Sequence, residues 1–334
     1  IKGGMDLKRT MIIVVLAMIP CLLFGMWNTG HQHFLSIGEN TGLGDAILDK
    51  FIYGAILVLP IVVVSYVVGL GIEFFIASKK GHAVNEGFLV SGMLIPLIVP
   101  ATIPLWMVAV ATAFAVIVGK EVVGGTGRDI LNVALTARVF LVFAYPTFMS
   151  GEEVWIAEKA DAFSGATALS SSIKGDPGFS IMDMFMGYMP GSIGETSVLM
   201  ILFGAILLIA TGIGSWKIML SGVVGASVMG LIFNALGLNP FMEVEWYKHL
   251  FMGGLAFGIV FMATDPVTAT QTEKGKWIYG FLIGFFAIMI RVFNPAYPEG
   301  IMMAILLMNV FAPLIDHYVI KGALKKRVKQ LARG

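Results

Sequence analysis

Apolar runs of about 20 residues recur from one end of this 334-residue chain to the other. At about 1.5 Å of rise per residue, such a run crosses a hydrocarbon core about 30 Å thick, where only helices and closed barrels satisfy the backbone. Mean hydropathy is +0.88 and only 13% of residues are charged, so lipid rather than water solvates most of the fold. The expected class is an all-α polytopic membrane protein with about ten transmembrane helices. The spans read approximately 10–27, 51–77, 87–100, 103–119, 130–149, 195–213, 216–236, 249–263, 277–293 and 300–319.

Basic residues in alternate connections are unequally shared. Sixteen Lys and Arg fall on one side, including Lys79, Lys80, Lys120, Arg128 and the tail, against Lys50, Lys159, Lys174, Lys248 and Arg291 on the other. The positive-inside bias then places both termini in the cytoplasm. IKGGMDLKRT has no small-residue cleavage site and reads as the flank of the first span.

The third and eighth spans are short, broken by Gly and Pro, and occupy matching places in the two halves. Each is followed by an ordinary span and then by a Gly/Pro-rich lead into a final one. The expectation is two inverted five-helix repeats with broken helices, over 1–149 and 195–320. They are joined by an extracytoplasmic loop, 150–194, and followed by a basic cytoplasmic tail, 321–334. Broken helices meeting near the midplane build sites for small or ionic ligands.

Several function classes drop out. The net charge of +1 is spread over short loops and a tail, which leaves no nucleic-acid footprint. The single cysteine, Cys21, rules out an internal disulfide and a four-cysteine iron–sulfur site within the chain. The 21 methionines are scattered through apolar segments, where an unbranched thioether fills gaps between helices. His31 and His33 have no carboxylate or cysteine partners nearby in sequence and read as part of a wet loop.

One polar stretch stands apart. DAFSGATALS, 161–170, lies in the outer loop, with Ser164, Gly165 and Ala166 preceding Thr167. A flavin can be tethered through its phosphate to a threonine hydroxyl, which needs an exposed Thr with small neighbours. A plain linker, with Ser and Thr satisfying turn amides, fits the same residues. The repeat and the loop leave electron transfer and a solute channel both open.

The segments DLKR, HAVNEGF, GKEVVGGTGR, FAYP, DAFSGATALS, MPGSIGE, FMATDPV, FNPAYPEG and FAPLIDH run in order from position 6 to about 320. In these the chain resembles the B-subunit family of the sodium-translocating NADH:quinone oxidoreductase. The paralogous D subunit of the Rnf ferredoxin-linked complex shares the pattern less closely. The resemblance implies covalent FMN on Thr167, within a D-x-x-S-G-A-T pattern that begins at Asp161. It implies a second, non-covalent riboflavin near G-R-x-x-x-N, here Gly127 to Asn132, which includes Arg128 and Asp129. It further implies a quinone site near Gly69 and Gly71, coupling to sodium, and a bacterial inner-membrane location. The implied partners are an outer flavoprotein subunit and an NADH-oxidising subunit, since the chain shows no strand-borne G-x-G-x-x-G. Ala162, Asp129, Val133 and Leu70 depart from the usual family residues, and the family usually carries a longer segment before the first span.

Three carboxylates lie within or against apolar spans, where a charge at mid-depth costs about 2.5–3.5 kcal/mol on insertion scales. Glu73, Asp265 and Asp316 are candidate sodium ligands, because sodium is a hard cation that prefers oxygen. Each has a plain alternative. Asp265 can cap a half-helix, Asp316 can pair with His317 or Lys321, and Glu73 can reach toward Lys79 and Lys80.

Overall fold

A computed structural model describes residues 7–81, 87–125, 127–160, 163–295 and 297–331, and among these the chain has no strand. The main helical segments are α1 Leu7–Ile37, α2 Ile47–Lys80, α3 Phe88–Leu97 and α4 Leu105–Phe114, which runs on as a π-helix over Ala115–Glu121. They continue with α5 Val133–Ala144, α6 Val198–Ala210, α7 Trp216–Leu236 and α8 Leu255–Phe257, which runs on as a π-helix over Gly258–Met262. α9 Glu273–Phe293 and α10 Gly300–Leu331 complete the set. α1, α2, α7, α9 and α10 are long and apolar enough to cross a membrane, while α3, α5 and α6 are shorter apolar helices. The protein is an all-α, multi-pass membrane protein.

α2 shows why lipid must surround it. Its buried side carries Lys50, Gly54, Val58, Ile61, Ser65, Gly69 and Glu73, spaced three or four apart. Ile52, Ile56, Leu59, Val63, Val67 and Phe74 face outward, each 47–66% exposed. The small and polar residues of α2 thus face the bundle, with Val58 and Ile61 among them, while its large apolar residues mostly face away, the reverse of a helix in water. α7 and α9 meet backbone to backbone. A Cβ on Gly284 would sit 1.9 Å from the Gly222 carbonyl oxygen, and one on Gly225 would sit 2.0 Å from that of Phe281.

The break after α3 has a local cause. Pro96 has no N–H to donate to the Gly92 carbonyl four residues back. Ser65 Oγ on α2 takes over that role at 3.0 Å. Beyond α3 the Leu97 and Val99 carbonyls accept from Gly194 N (2.7 Å) and Ile193 N (3.3 Å). Irregular backbone here is covered by protein, as a membrane interior requires.

The segment 150–194 is folded down onto the helices. Thr102 Oγ1 donates to the Val154 carbonyl at 2.6 Å, and Asn28 Nδ2 to that of Met189 at 3.0 Å. This corrects the expectation of a wet loop for the histidines. α1 continues about ten residues past its apolar run, and both His31 and His33 are buried. His31 stacks on Trp27, and His33 stacks on Tyr53 with its Nδ1 2.9 Å from the Ala157 carbonyl oxygen. Lys50, Lys120 and Arg291, expected in connections, all lie within helical segments and are buried. Their polar ends find carbonyls or a carboxylate.

Candidate functional site

Asn132 is the junction of the larger polar site. It stands at the N-terminus of α5, where its Oδ1 accepts from Leu135 N at 3.1 Å and satisfies an otherwise orphaned amide. Its Nδ2 reaches across to Asp265 Oδ2 at 3.3 Å. Asp265 follows the π-helical end of α8 and also accepts from Val267 N at 3.0 Å and Thr268 Oγ1 at 3.2 Å. The Asn309 amide on α10, oriented so that both ends are satisfied, accepts from Asn132 N at 3.1 Å and lies 2.6 Å from Tyr279 Oη. Three elements from both halves of the chain, α5, the turn after α8 and α10, therefore meet at Asn132, and Tyr279 of α9 joins them through Asn309.

Asn132, Asp265, Asp129, Lys120, Ser91 and Thr264 line a cavity partly open to solvent. Leu94, Leu208 and Phe261 supply apolar wall. Asp129 Oδ1 is buried there without a hydrogen-bond partner. A largely apolar wall with a few convergent polar groups is the composition of a site for a small organic ligand. Those features fit a flat, heteroatom-edged ring such as a flavin. Arg128 is exposed at the surface and does not line the cavity, so the structure separates it from Asp129 and Asn132.

The three candidate sodium ligands are not brought together. Glu73 is bonded to Lys120 Nζ, with both side chains nearly inaccessible. Lys79 instead lies over the Phe75 ring and Lys80 pairs with Glu121 at 3.0 Å, which corrects the expected reach of Glu73 toward them. Asp316 accepts from Gln271 N at 2.8 Å, Thr272 N at 3.0 Å and Thr272 Oγ1 at 2.6 Å. It therefore ties the start of α9 to α10, in place of the expected partners His317 and Lys321. Asp265 alone of the three lines the cavity. As a cap it closes a turn through Val267 N and starts no regular helix.

Gly69 does admit a ring, and that ring is the chain's own Phe88: a Cβ on Gly69 would lie 1.9 Å from Phe88 Cζ. Gly71 is exposed, and a Cβ added there would meet nothing within 4 Å.

Thr167 caps the short helix Ala168–Ser171, its Oγ1 accepting from Ser170 N at 3.1 Å. Ser164 is exposed and bonds to Glu152 Oε2 at 3.2 Å. Gly165 is obligatory, because a Cβ there would lie 2.2 Å from the Glu152 carbonyl oxygen. Ala166 is half-buried, and its N–H donates to Ser164 Oγ at 3.3 Å. Thr167 itself is half-buried, against the expectation of an exposed acceptor, and lines a second cavity with Ser192, Glu195, Thr196 and Glu299. Its hydroxyl stands on a cavity wall among small neighbours, a placement that fits an ester acceptor. Asp161 lies outside the described residues.

Polar groups gathered at helix breaks inside a lipid-facing shell define an all-α membrane protein built around internal sites. A family model described as the NQR2, RnfD, RnfE family matches residues 1–325, and the chain belongs to that family. It is 48% identical to a protein of Chromohalobacter salexigens named as the B subunit of Na(+)-translocating NADH-quinone reductase, over 99% of this chain and 86% of that one. It is 46% and 45% identical to proteins of the same name from Stutzerimonas stutzeri and Pseudomonas aeruginosa, each over 98% of this chain and 88% of the relative.

Sequence reasoning passes over Lys120, Asn309, Arg138, Glu195 and Glu299. The available signal is charge or amide within apolar sequence, as in TARVFLV and LLMNVFA, where insertion is costly. Among the described residues no three His, Cys, Asp or Glu side chains form a metal site.

Proposed function

We propose that the chain is the membrane-embedded B subunit of a sodium-translocating NADH:quinone oxidoreductase of a bacterial inner membrane. The observation that carries this reading is the near-full-length likeness to proteins of that name at 45–48% identity. In the arrangement proposed, about ten spans form two inverted repeats with both termini cytoplasmic, following the matched breaks and the basic-residue bias. NADH oxidation belongs to a partner subunit, and an outer flavoprotein subunit delivers electrons.

Thr167 is proposed as the acceptor of covalent FMN, and the Asn132 cavity as the seat of riboflavin. When bound, the two flavins supply the electron carriage from the outer donor to quinone across a core about 30 Å thick. The chain's own residues position and insulate. Asn132 and Asp129 offer hydrogen bonds on the cavity wall, Leu94 and Phe261 exclude water, and Asp265 presents a carboxylate to a passing sodium ion. Quinone is assigned to the neighbourhood of Gly69 and Gly71 on α2. Extraction of the folded protein should release one flavin lacking phosphate; recovery of FMN only would leave the larger cavity without its proposed occupant.

Asp265 separates a cap from an ion ligand. Asn at this position retains an acceptor for Val267 N and nearly the same volume but loses the charge. Asp265→Asn in the assembled complex should keep both flavins and require several-fold more sodium for half-maximal quinone reduction, as loss of a charged ligand demands. Unchanged sodium dependence with full flavin content would reduce Asp265 to a turn-former.

A further inference from the structure

The last three turns of α10 are exposed at every residue, from Lys321 to Leu331. Asp316 ties α10 to the start of α9, at the level where Lys217, Glu273 and Lys276 form a charged belt. Past Asp316 the same unbroken helix runs on to Leu331, a rise of about 22 Å at about 1.5 Å per residue. The headgroup layer is only about 5–8 Å thick on each side of the hydrocarbon core, so this part of α10 leaves the bilayer and stands in water.

Its faces differ in kind. Ile320, Leu324, Val328 and Leu331 recur at intervals of three or four and form one apolar stripe, each 51–83% exposed. At about 100° per residue, Lys321 and Lys325 border the stripe on one edge and Arg327 on the other, with Lys326 and Lys329 behind. No acid follows Asp316 in the sequence, and none of these cations makes an ion pair among the described residues. A helix this short is marginal in water on its own hydrogen bonds, and large apolar side chains left wet add to its need for a cover.

Three covers fail. Lipid fails because Leu324, Val328 and Leu331 lie about 12, 18 and 22 Å beyond Asp316, past the headgroups. A second copy of the helix would set its cations against an identical set, and like charges brought together across an interface are costly. The chain's own acids at this end are engaged: Glu121 by Lys80, Glu273 by Lys217 and Lys276, and Asp316 by the amides of Gln271 and Thr272. The cover that remains is another protein, apolar along one edge and negative beside it.

We propose that 317–331 is a docking arm for a partner subunit, on the side of the membrane where both termini are placed. It takes an acidic amphipathic helix, whose apolar edge lies along Ile320, Leu324, Val328 and Leu331 and whose carboxylates meet Lys321, Lys325 and Arg327. Apolar burial supplies the attraction here, because water and not lipid is displaced, and the flanking charges choose the partner. The proposal rests on the chain acting as one subunit of a complex, and on no flavin or ion site.

The test uses the intact complex purified in detergent, with a benzophenone amino acid in place of Val328. Light should join that position to another subunit, and mass spectrometry should find the joined peptide apolar at intervals of three or four with Asp or Glu beside those positions. Leu324→Glu should weaken retention of that subunit about tenfold, read from the dilution at which half has dissociated. Lys321→Glu with Lys325→Glu, which leaves the stripe whole, should weaken it in the same direction, and raised salt should weaken the unaltered complex. The apparent unfolding temperature of the membrane bundle should not change in either variant, because the arm lies outside it. Joining of position 328 to lipid, to a second copy, to this chain's own residues or to a peptide without acids would overturn the arm, and so would unaltered retention in both variants. A purified protein that holds no other subunit before any substitution would instead overturn the reading of the chain as part of a complex.

Discussion

Thr167→Ala should abolish the flavin fluorescence that survives denaturation in SDS. Only a covalent tether persists under those conditions, and Thr167 Oγ1 is the hydroxyl that the SGAT pattern presents to the cavity wall. The fold should survive the change. The loss is one N-cap on a four-residue helix, worth about 1 kcal/mol, and the helix is held by the buried Ala168 and Leu169. The non-covalent flavin should therefore remain, which separates a missing tether from a misfolded protein. Fluorescence that persisted in the mutant gel band would move the acceptor to Ser164 or Ser170, the adjacent hydroxyls.

Lys120→Met should be the most destabilising of the changes considered. Lys120 is 3% and Glu73 5% exposed, and their ion pair joins the π-helical end of α4 to α2. Removing one partner leaves a buried carboxylate unpaired, at a cost of about 3–5 kcal/mol. The apparent unfolding temperature in detergent should fall steeply, and flavin retention should fall with it because Lys120 also lines the Asn132 cavity. Adding Glu73→Leu should recover most of the stability, since the charge that needed a partner is then gone. A double mutant no more stable than Lys120→Met would show that the pair is not the source of the loss.

The helices are largely legible in the sequence because hydropathy reports solvation, and here solvation sets the architecture. The seventh apolar run, 216–236, coincides with α7 Trp216–Leu236, bounded by Gly214 and Ser215 before it and Gly237 after it. α1 outruns its apolar run for the same reason. His31, Gln32 and His33 end the run without ending the helix and are buried by protein: His33 meets the Ala157 carbonyl of segment 150–194, Gln32 bonds to Asn28 and His31 stacks on Trp27. Thr167, Asn132 and Asp265 stand out because each sits in a short polar interruption. The ion pairs do not. Glu73–Lys120, Arg138–Glu195 and Arg138–Glu299 join residues 47, 57 and 161 positions apart, and no local pattern couples them. Asp316 reads as a surface charge beside a histidine and a lysine, yet its partners are backbone amides at the start of another helix.

The outward faces of α2 and its neighbours carry a consequence for assembly. Side chains such as Ile56, Val67 and Phe75 are 61–66% exposed, and acyl chains cover them as well as another protein could. In the bilayer, greasiness therefore gives a neighbouring subunit no advantage over lipid, and recognition must come from fit and from polar contacts. Gly71, a notch at the surface of α2 with open space in front of it, is the kind of feature that distinguishes one neighbour from another. Filling such a notch with a bulky side chain should weaken docking more than making the surrounding belt still more apolar could ever strengthen it.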